Sequence, residues 1–361
     1  MSDHPTLHED GVARGQRAPV LVTHLQGAID AGIGGRLAVT QLLRSPQVER
    51  VATFDSDELL DYRSHRPIMT VENWVTTGMA MPEIALDLVR DDVGRPFLLL
   101  HGPEPDMRWS AFADAVADLA NEAGVEVTVS LHGIPAGTPH TRPTPVHIQG
   151  TTAGLVPEQG QVMTELHVPA PATSFLQTRL AENGIDGIAL LAAVPYYMAE
   201  QAYPAASAAL LRRLGEFADL SLPVGDLEQG AAEEARTIEG LLEDNHEVRR
   251  TVEALERHYD TIVGAEGVIP LTTLAGNKQP ATPSDMPEVD SDIGDVLQAY
   301  LATVSATQSA AREGETLTED VVPAEPETVE DVLRRLAARE NDPNAPRRQG
   351  PPRHRAADGD S

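Results

Sequence analysis

The sequence repeats one pattern, in which a short apolar run ends in a tight polar cluster rich in charge, glycine or proline. Residues 20–25 lead into 27–32, and residues 97–100 open onto 101–109. The same change of character introduces the polar clusters at 57–67, 139–143 and 195–200. Such runs are typical of buried strands in an open α/β sheet, where the loops at one end of the strands carry the function. The sequence therefore predicts a working surface at one end of a sheet.

Segments with helical periodicity separate these runs. Helices are predicted over 30–43, 81–90, 110–123 and 173–183, and another starts at Pro204. Further strands are predicted over 125–131 and 187–194. Strands that alternate with helices favour parallel pairing, so the predicted class is α/β, a three-layer α/β/α fold with a mostly parallel sheet.

Residues 227–263 interrupt the alternation and predict an αα-hairpin. Its first helix covers 231–242, and Asp244 with Glu247 has the spacing of a capping-box variant that starts the second helix. Two interpretations are open. The hairpin either packs on its own sheet or projects as an arm that contacts a neighbouring subunit.

Composition predicts how the rest of the chain is divided into regions. We expect a flexible N-terminus over 1–17, an α/β core over 18–264, a linker with an amphipathic helix over 265–304, and a disordered acidic tail over 305–361. Residues 285–331 hold 13 acids and one base, Arg312, and charge of that density resists collapse.

Charge and composition exclude several classes of partner. The chain carries 27 basic and 56 acidic residues, a formal charge of −29, which repels nucleic acid and anionic lipid. Cysteine is absent, which excludes disulfides and thiolate metal sites. The polar, acidic N-terminus is unlike a signal peptide, so a cytoplasmic location is expected.

The common cofactor motifs are incomplete. Gly27 and Gly32 have the separation of a phosphate-binding loop, but Ile33 stands where that loop needs lysine. No Gly-x-Ser-x-Gly sequence occurs. No cofactor is therefore expected, and these glycines are interpreted as allowing a tight strand-to-helix turn. His101, His132 and His140 follow strands and would form a zinc site if they converged, whereas loop histidines more commonly bond to backbone, so no metal is expected.

The polar clusters supply candidate functional side chains. Asp30, Glu104 and His140 are the candidate acids and bases if the protein is an enzyme, with nearby arginines to bind an anion. The alternative is that these carboxylates and guanidinium groups pair with each other and fix the loops. The candidate binding surface comprises Asp30, Asp61, Arg63, Arg66, Glu104, Arg108, Trp109, His140, Arg142, Tyr196 and Tyr197.

Six stretches together resemble one known family. They are Gly27-Ala-Ile-Asp30-Ala-Gly32, residues 54–67, residues 100–109, Pro139-His140-Thr-Arg142-Pro143, Ala193-Val-Pro195-Tyr-Tyr197 and residues 255–260. In this order they resemble the bacterial branch of the proteasome assembly chaperone 2 family. The resemblance implies a three-layer fold related to nucleoside phosphorylases, a helical excursion at 227–263 and a homo-oligomer, and it carries no established catalytic residues.

One family feature is missing. Some members dock on proteasome rings through a C-terminal hydrophobic-Tyr-any tripeptide, whereas His258-Tyr259-Asp260 is internal here.

The leading hypothesis is a non-catalytic protein-binding scaffold that works as a homo-oligomer, with proteasome subunits or another protein as partner. The alternative is a phosphorylase- or hydrolase-like enzyme acting on a small anionic or nucleoside-like substrate. A deep pocket joining three candidate side chains favours the enzyme, and a shallow, salt-bridged surface favours the scaffold.

Overall fold

The computed structural model describes residues 7–27, 29–157, 169–244 and 246–266. The strands in these ranges are His8–Asp10 (β1), Val20–Gln26 (β2), Val48–Phe54 (β3), Ile68–Glu72 (β4), Val75–Ala80 (β5), Ala85–Arg90 (β6), Pro96–Pro103 (β7), Val127–Ala136 (β8), Val146–Gly150 (β9) and Gly187–Pro195 (β10). The α-helices are Gly34–Leu42 (α1), Ser56–Leu59 (α2), Trp109–Ala123 (α3), Ala172–Glu182 (α4), Pro204–Ala218 (α5), Gly225–Asp244 (α6) and His246–Glu266 (α7).

Eight of these strands form one sheet in the order β1-β3-β6-β7-β2-β8-β10-β9. Its four central strands, β7, β2, β8 and β10, are mutually parallel. The outer strands β9, β6, β3 and β1 join by antiparallel pairing. Parallel neighbours need long crossovers, which here contain α3, α4 and α1. The predicted α/β class is confirmed, with the parallel region at the centre of a mixed sheet.

Helices cover both faces of the sheet, because its central strands are buried on both sides. Along β7, Phe97 and Leu99 face one core, and Leu98 and Leu100 face the other. The first core also contains residues of α1, α5, α6 and α7, and the second contains residues of α2, α3 and α4. The three-layer arrangement predicted from the alternation is therefore confirmed.

The prediction of a helix over 81–90 is wrong. Residues Ala85–Arg90 form β6, which pairs with β3 on one side and β7 on the other. Every residue from Ala85 to Val89 is buried, so the apolar positions show no alternation. A short run buried on both faces cannot be distinguished from a buried helix by periodicity, and here the two neighbouring strands decide the outcome.

Two further elements differ from the sequence expectations. The short strand β1 lies within the stretch 1–17 that was expected to be flexible, yet it pairs with β3, and Leu7 and Ala13 of the same stretch are buried. Strands β4 and β5 form a separate antiparallel hairpin, which was not predicted from the sequence.

The αα-hairpin is present as α6 and α7, each longer than predicted. Leu227 and Ile238 of α6 and Val252 of α7 belong to the same core cluster as α1 and α5. The hairpin thus packs on its own subunit. The predicted linker, amphipathic helix and tail lie almost wholly outside the described residues.

Candidate functional site

Five loops meet at one edge of the sheet. Four follow the parallel strands β2, β7, β8 and β10, and the fifth follows β3, which has the direction of β7 because two antiparallel pairings separate them. We call this edge the strand-end rim and define it as residues 29–33, 55–67, 104–108, 137–145 and 196–203. The sequence prediction that distant polar clusters share one rim agrees with this geometry.

Asp30 lies at the centre of the rim and joins two elements. Its Oδ1 accepts hydrogen bonds from the backbone N–H of Gly35 at 2.8 Å and of Gly133 at 2.9 Å. Its Oδ2 accepts from the N–H of Arg36 at 3.0 Å. The carboxylate therefore caps the positive end of α1 and ties it to β8.

Two buried histidines flank Asp30. His24 Nδ1 lies 2.9 Å from the carbonyl oxygen of Leu131, and its Nε2 lies 3.5 Å from Asp30 Oδ2. His132 contacts the Ile29 carbonyl and the Thr173 hydroxyl. Burial lowers the pKa of both rings, that of His132 to about 4, and the Asp30 carboxylate opposes this in both. The two rings are consequently neutral near pH 7.

Close packing beside Asp30 explains why two positions there are glycine. A side chain at Gly35 would collide with the His24 ring and the Leu131 carbonyl. Gly32 has a φ of 64°, in the left-handed region that favours glycine. Glycine at these two positions lets neighbouring backbone segments approach closely. The positive φ of Gly32 agrees with the interpretation of a tight strand-to-helix turn.

Glu104 forms the next link along the rim. Its Oε1 accepts a hydrogen bond from the backbone N–H of Ala172, the first residue of α4. Its carboxylate packs so closely on Gly27 that any side chain there would collide with it. Trp109 is half-buried, donates from Nε1 to the Pro105 carbonyl at 2.6 Å and contacts Phe175. Both side chains brace the loop after β7 against α4.

The loop at 55–67 is fixed to the loop after β7. Asp106 Oδ2 accepts from the Asp61 N–H at 2.7 Å, and Asp61 Oδ1 accepts from the Arg63 N–H at 2.9 Å. Arg108 forms an ion pair with Glu58. The side chains of Arg63 and Arg66 are exposed, so the second half of this loop presents two guanidinium groups on a backbone fixed by hydrogen bonds.

His140 and the tyrosine pair occupy the other end of the rim. Tyr197 Oη accepts from the His140 N–H at 3.0 Å and lies 2.7 Å from His140 Nδ1. Burial lowers the pKa of His140 to about 4, so the ring is neutral, and in the tautomer protonated at Nε2 its Nδ1 accepts a hydrogen bond from the Tyr197 hydroxyl. Burial also raises the pKa of Tyr197, and Tyr196 packs edge-on against it at 5.4 Å.

Arg142 connects the rim to the αα-hairpin. Its guanidinium group donates to both carboxylate oxygens of Asp260, at 2.8 and 2.7 Å, and to Glu256 at 3.2 Å. The hydrogen bond to Asp260 raises the pKa of Arg142 and lowers that of Asp260. Tyr259 is buried and donates from its hydroxyl to the Pro143 carbonyl. In the internal His258-Tyr259-Asp260 sequence, Tyr259 and Asp260 thus bind α7 to the loop after β8.

The three histidines considered as zinc ligands have separate partners. His101 bonds to Asp87 at 2.8 Å, His132 contacts Ile29 and Thr173, and His140 bonds to Tyr197. Within the described ranges no cluster of three potential metal ligands occurs. The partner of His101, Asp87, was missed by sequence reasoning, although an acid inside an apolar run signals a buried partner. Burial raises the pKa of Asp87, but hydrogen bonds from His101 and Arg50 lower it overall.

The candidate side chains mostly bind one another or the backbone. Asp30, Glu104 and His140 each hold a different pair of elements together. A cavity of about 220 Å³ lies at the opposite end of the strands, lined by residues such as Leu42, Arg90 and Leu222. The described side chains of the rim thus brace its loops against one another. Among the described residues, no helix has the length and apolar character needed to span a membrane.

Comparison with known proteins gives a consistent picture. A protein of unknown function from Mycobacterium tuberculosis is 37% identical, with 73% of this chain and 94% of that chain covered at a TM-score of 0.68. A proteasome-assembly chaperone homologue from the same organism is 30% identical over 64% of this chain and 99% of its own, at 0.60. A PAC2 family protein from Streptomyces avermitilis is 31% identical over 62% and 95%, at 0.55.

The search of curated proteins finds no match. The PAC2 family model matches residues 24–242, which include the end of β2, the loop after β7, the rim residues Asp30 and His140 and most of α6. On this match and the likeness to solved structures, the chain belongs to the PAC2 family.

Proposed function

We propose that this protein is a non-catalytic, protein-binding scaffold that works as a homo-oligomer in the cytoplasm, in proteasome assembly or a related process. Membership of the PAC2 family supports this, together with the 30% identity to a protein described as a proteasome-assembly chaperone homologue. Proteasome subunits are the first candidates for the partner.

The observation that carries the proposal is the engagement of the rim's acids and bases. Asp30 accepts three backbone hydrogen bonds, Glu104 holds the start of α4, and His140 is bonded to Tyr197. Each group is committed to holding two elements together. A general acid or base must instead reach a substrate proton, at a hydrogen-bond distance of about 3 Å.

The bracing leaves a firm surface with both apolar and cationic side chains. Ile29 is 37% and Met107 44% exposed, and the guanidinium groups of Arg63 and Arg66 extend from the adjacent loop. Methionine and arginine are enriched in protein interfaces, where a rigid backbone reduces the entropy lost on binding. We therefore place the partner-binding surface on this part of the rim.

Site-specific photo-crosslinking tests the proposal. A photoreactive residue replaces Arg66, and in a matched control it replaces Arg17, an exposed arginine before β2 at the opposite end of the strands. We expect proteasome subunits among the adducts from position 66 and their absence from position 17. The same adducts at both positions, or no protein adduct at position 66, would contradict the proposal.

A ligand screen addresses the enzyme alternative. A ligand that binds only the folded state at 100 times its Kd stabilises it by about 2.7 kcal/mol. Phosphate, nucleosides and nucleotides are expected to leave the melting temperature unchanged. Stabilisation by one of them, lost in Asp30→Asn or His140→Gln, would favour a small-molecule site at the rim.

A further inference from the structure

The cavity of about 220 Å³ lies at the end of the sheet opposite the strand-end rim. Three segments line it: residues 41–46 at the end of α1, the turn from β6 to β7, and residues 222–226, where the chain passes from α5 to α6. The cavity and the rim have no residue in common. A ligand bound here would therefore leave the rim free.

Hydrogen bonds hold the three segments together. Asp91 Oδ1 accepts from the Arg95 N–H at 2.7 Å, and its Oδ2 accepts from the Ser221 N–H at 2.8 Å, which ties the β6–β7 turn to the segment after α5. Ser45 Oγ donates to the Arg90 carbonyl at 3.1 Å and ties the end of α1 to the same turn. The cavity is thus preformed, and a preformed site loses less entropy when it binds a ligand.

The inner wall of the cavity is apolar. Leu42, Val89 and Phe97 line it and are 1%, 1% and 0% exposed. They belong to one core cluster, and Leu222 packs against that cluster. A cavity of about 150 Å³ with such a lining holds a benzene ring. One aromatic ring or a short branched alkyl group therefore fits against this wall.

The mouth of the cavity is charged. Three exposed residues line it, Arg44, Asp92 and Asp226. Arg44 lies 3.2 Å from Asp226 Oδ2 and donates to Gln41 Oε1 at 3.2 Å. Asp92 forms no ion pair with any residue that the structure describes, while its N–H donates to the Ser221 carbonyl at 3.0 Å and fixes its backbone. The mouth thus presents a carboxylate without a cation, beside an apolar wall.

The other charged residues of the lining do not offset this carboxylate. The Asp91 carboxylate accepts three backbone hydrogen bonds. Because Val89 faces the core beneath α1, alternation places the Arg90 side chain on the opposite face of the sheet, where it donates to Gln16. The carbonyl end of α1 adds partial negative charge. The mouth therefore favours a cation.

We propose that this cavity binds a small hydrophobic amine, in which a single aromatic ring or a short branched alkyl group carries a protonated amino group. The apolar part packs on the inner wall, and the ammonium group donates to the Asp92 carboxylate at the mouth. An anion would be repelled by Asp92, and a neutral molecule would lose the ion pair. The inference goes beyond the proposed function and does not depend on it.

Calorimetric titration of the full chain near neutral pH tests the site with benzylamine, whose amino group is protonated under these conditions. Three comparison ligands each change one property. Benzyl alcohol has the same ring without the charge, methylamine has the charge without the ring, and benzoate has the opposite charge. We expect benzylamine to bind with one site per chain and most tightly of the four, and benzoate not to bind.

Two variants separate the parts of the site. Asp92→Asn removes the charge at the mouth, so it should weaken benzylamine binding about two- to five-fold and leave benzyl alcohol binding unchanged. Leu222→Gln places an amide in the apolar wall and should weaken both ligands about fourfold. The control Asp118→Asn removes an exposed acid of α3, on the other face of the sheet, and should bind benzylamine like the wild type. A cooperative unfolding transition confirms that each variant is folded.

Four results would overturn the inference. Benzylamine that does not bind at millimolar concentration would show that the cavity is not a site for amines. Equal affinity for benzylamine and benzyl alcohol would remove the role of Asp92. Equal affinity for benzylamine and methylamine, or equal weakening by Asp92→Asn and Asp118→Asn, would show attraction by the acidic surface alone. Each result leaves the crosslinking at position 66 unaffected, so the proposed function is judged separately.

Discussion

Asp30 illustrates how one side chain organises the rim. Its carboxylate satisfies N–H groups of Gly35, Arg36 and Gly133, which come from a helix and a strand that are distant in sequence. An N–H group left unpaired in a half-buried position costs free energy comparable to a lost hydrogen bond.

Replacing Asp30 should therefore lower stability. We expect Asp30→Ala to reduce the free energy of unfolding by about 1–3 kcal/mol, and Asp30→Asn, which keeps one acceptor oxygen, to cost less. Urea unfolding measures both. Asp114→Ala, which removes an exposed partner of Arg179, is the control and should cost less than about 1 kcal/mol. Equal stability of wild type and Asp30→Ala would contradict a structural role.

The buried histidines give a pH dependence of defined sign. Burial lowers the pKa of folded His132 to about 4, below its ordinary value of 6.5. The unfolded state therefore takes up the proton first, and stability falls as the pH drops from about 6.5 toward 4. Between pH 7.5 and 5.5, wild type should lose about 1 kcal/mol more than His132→Gln.

Comparing the variant with wild type cancels the titrating groups that do not interact with His132. Glu234 is one of them, since burial raises its pKa to about 8 and its contribution has the opposite sign. Urea unfolding at several pH values supplies the measurement. Parallel curves for wild type and His132→Gln would show that folding does not lower the pKa of His132.

Among the elements, the rim and the αα-hairpin are joined at Arg142. This side chain reaches both Glu256 and Asp260 of α7, while Tyr259 bonds to the same loop at Pro143. Arg142→Ala should speed amide hydrogen exchange in α7 and in residues 139–143, because α7 loses its ion pairs with the loop after β8.

Arg179→Ala is a matched control for Arg142→Ala. Arg179 also pairs with two acids, Asp114 and Glu182, but these join helices on the other face. Hydrogen exchange followed by mass spectrometry should show no change in α7 for this variant. The same protection of α7 in Arg142→Ala and in wild type would contradict the role given to Arg142.

The elements also show how far sequence reasoning reaches. The strands β2, β7 and β10 were predicted because apolar runs bounded by glycine and proline are strong local signals. Strand β6 was missed because burial on both faces removes alternation, and its identity depends on pairing with β3 and β7. The hairpin of β4 and β5 was not predicted, although its sequence has a signal, β-branched residues on both sides of Asn73 and Trp74.

The candidate site was also predictable only in part. Sequence order placed Asp30, Glu104 and His140 after strands, and parallel topology brings the ends of such strands to one edge. Their partners are set by tertiary contacts over long separations, such as Glu104 with Ala172 and Arg142 with Asp260. The pattern of a single sequence does not reveal those long-range pairs. Both the catalytic and the structural interpretation of the side chains therefore stayed open.

The whole molecule carries a large excess of negative charge, most of it outside the acidic tail. The stretch 305–361 holds twelve acidic and eight basic residues, so a formal charge of −25 remains on residues 1–304. Self-repulsion of that size destabilises a compact state, and salt screens it over a Debye length of about 10 Å at 0.1 M. The exposed ion pairs of the rim weaken with salt but contribute little individually.

We therefore expect the melting temperature to rise when sodium chloride increases from about 20 mM to about 500 mM, because the Debye length falls from about 20 Å to about 4 Å. Removing residues 305–361 should leave both the melting temperature and its rise with salt nearly unchanged, because most of the charge stays on the remaining chain. Calorimetry of the two chains at both salt concentrations measures this, with an uncharged osmolyte at matched osmolality as control. A melting temperature that falls with salt would show that ion pairs such as Arg142–Asp260 outweigh the repulsion, and a fall of many degrees on truncation would show that residues 305–361 stabilise the core.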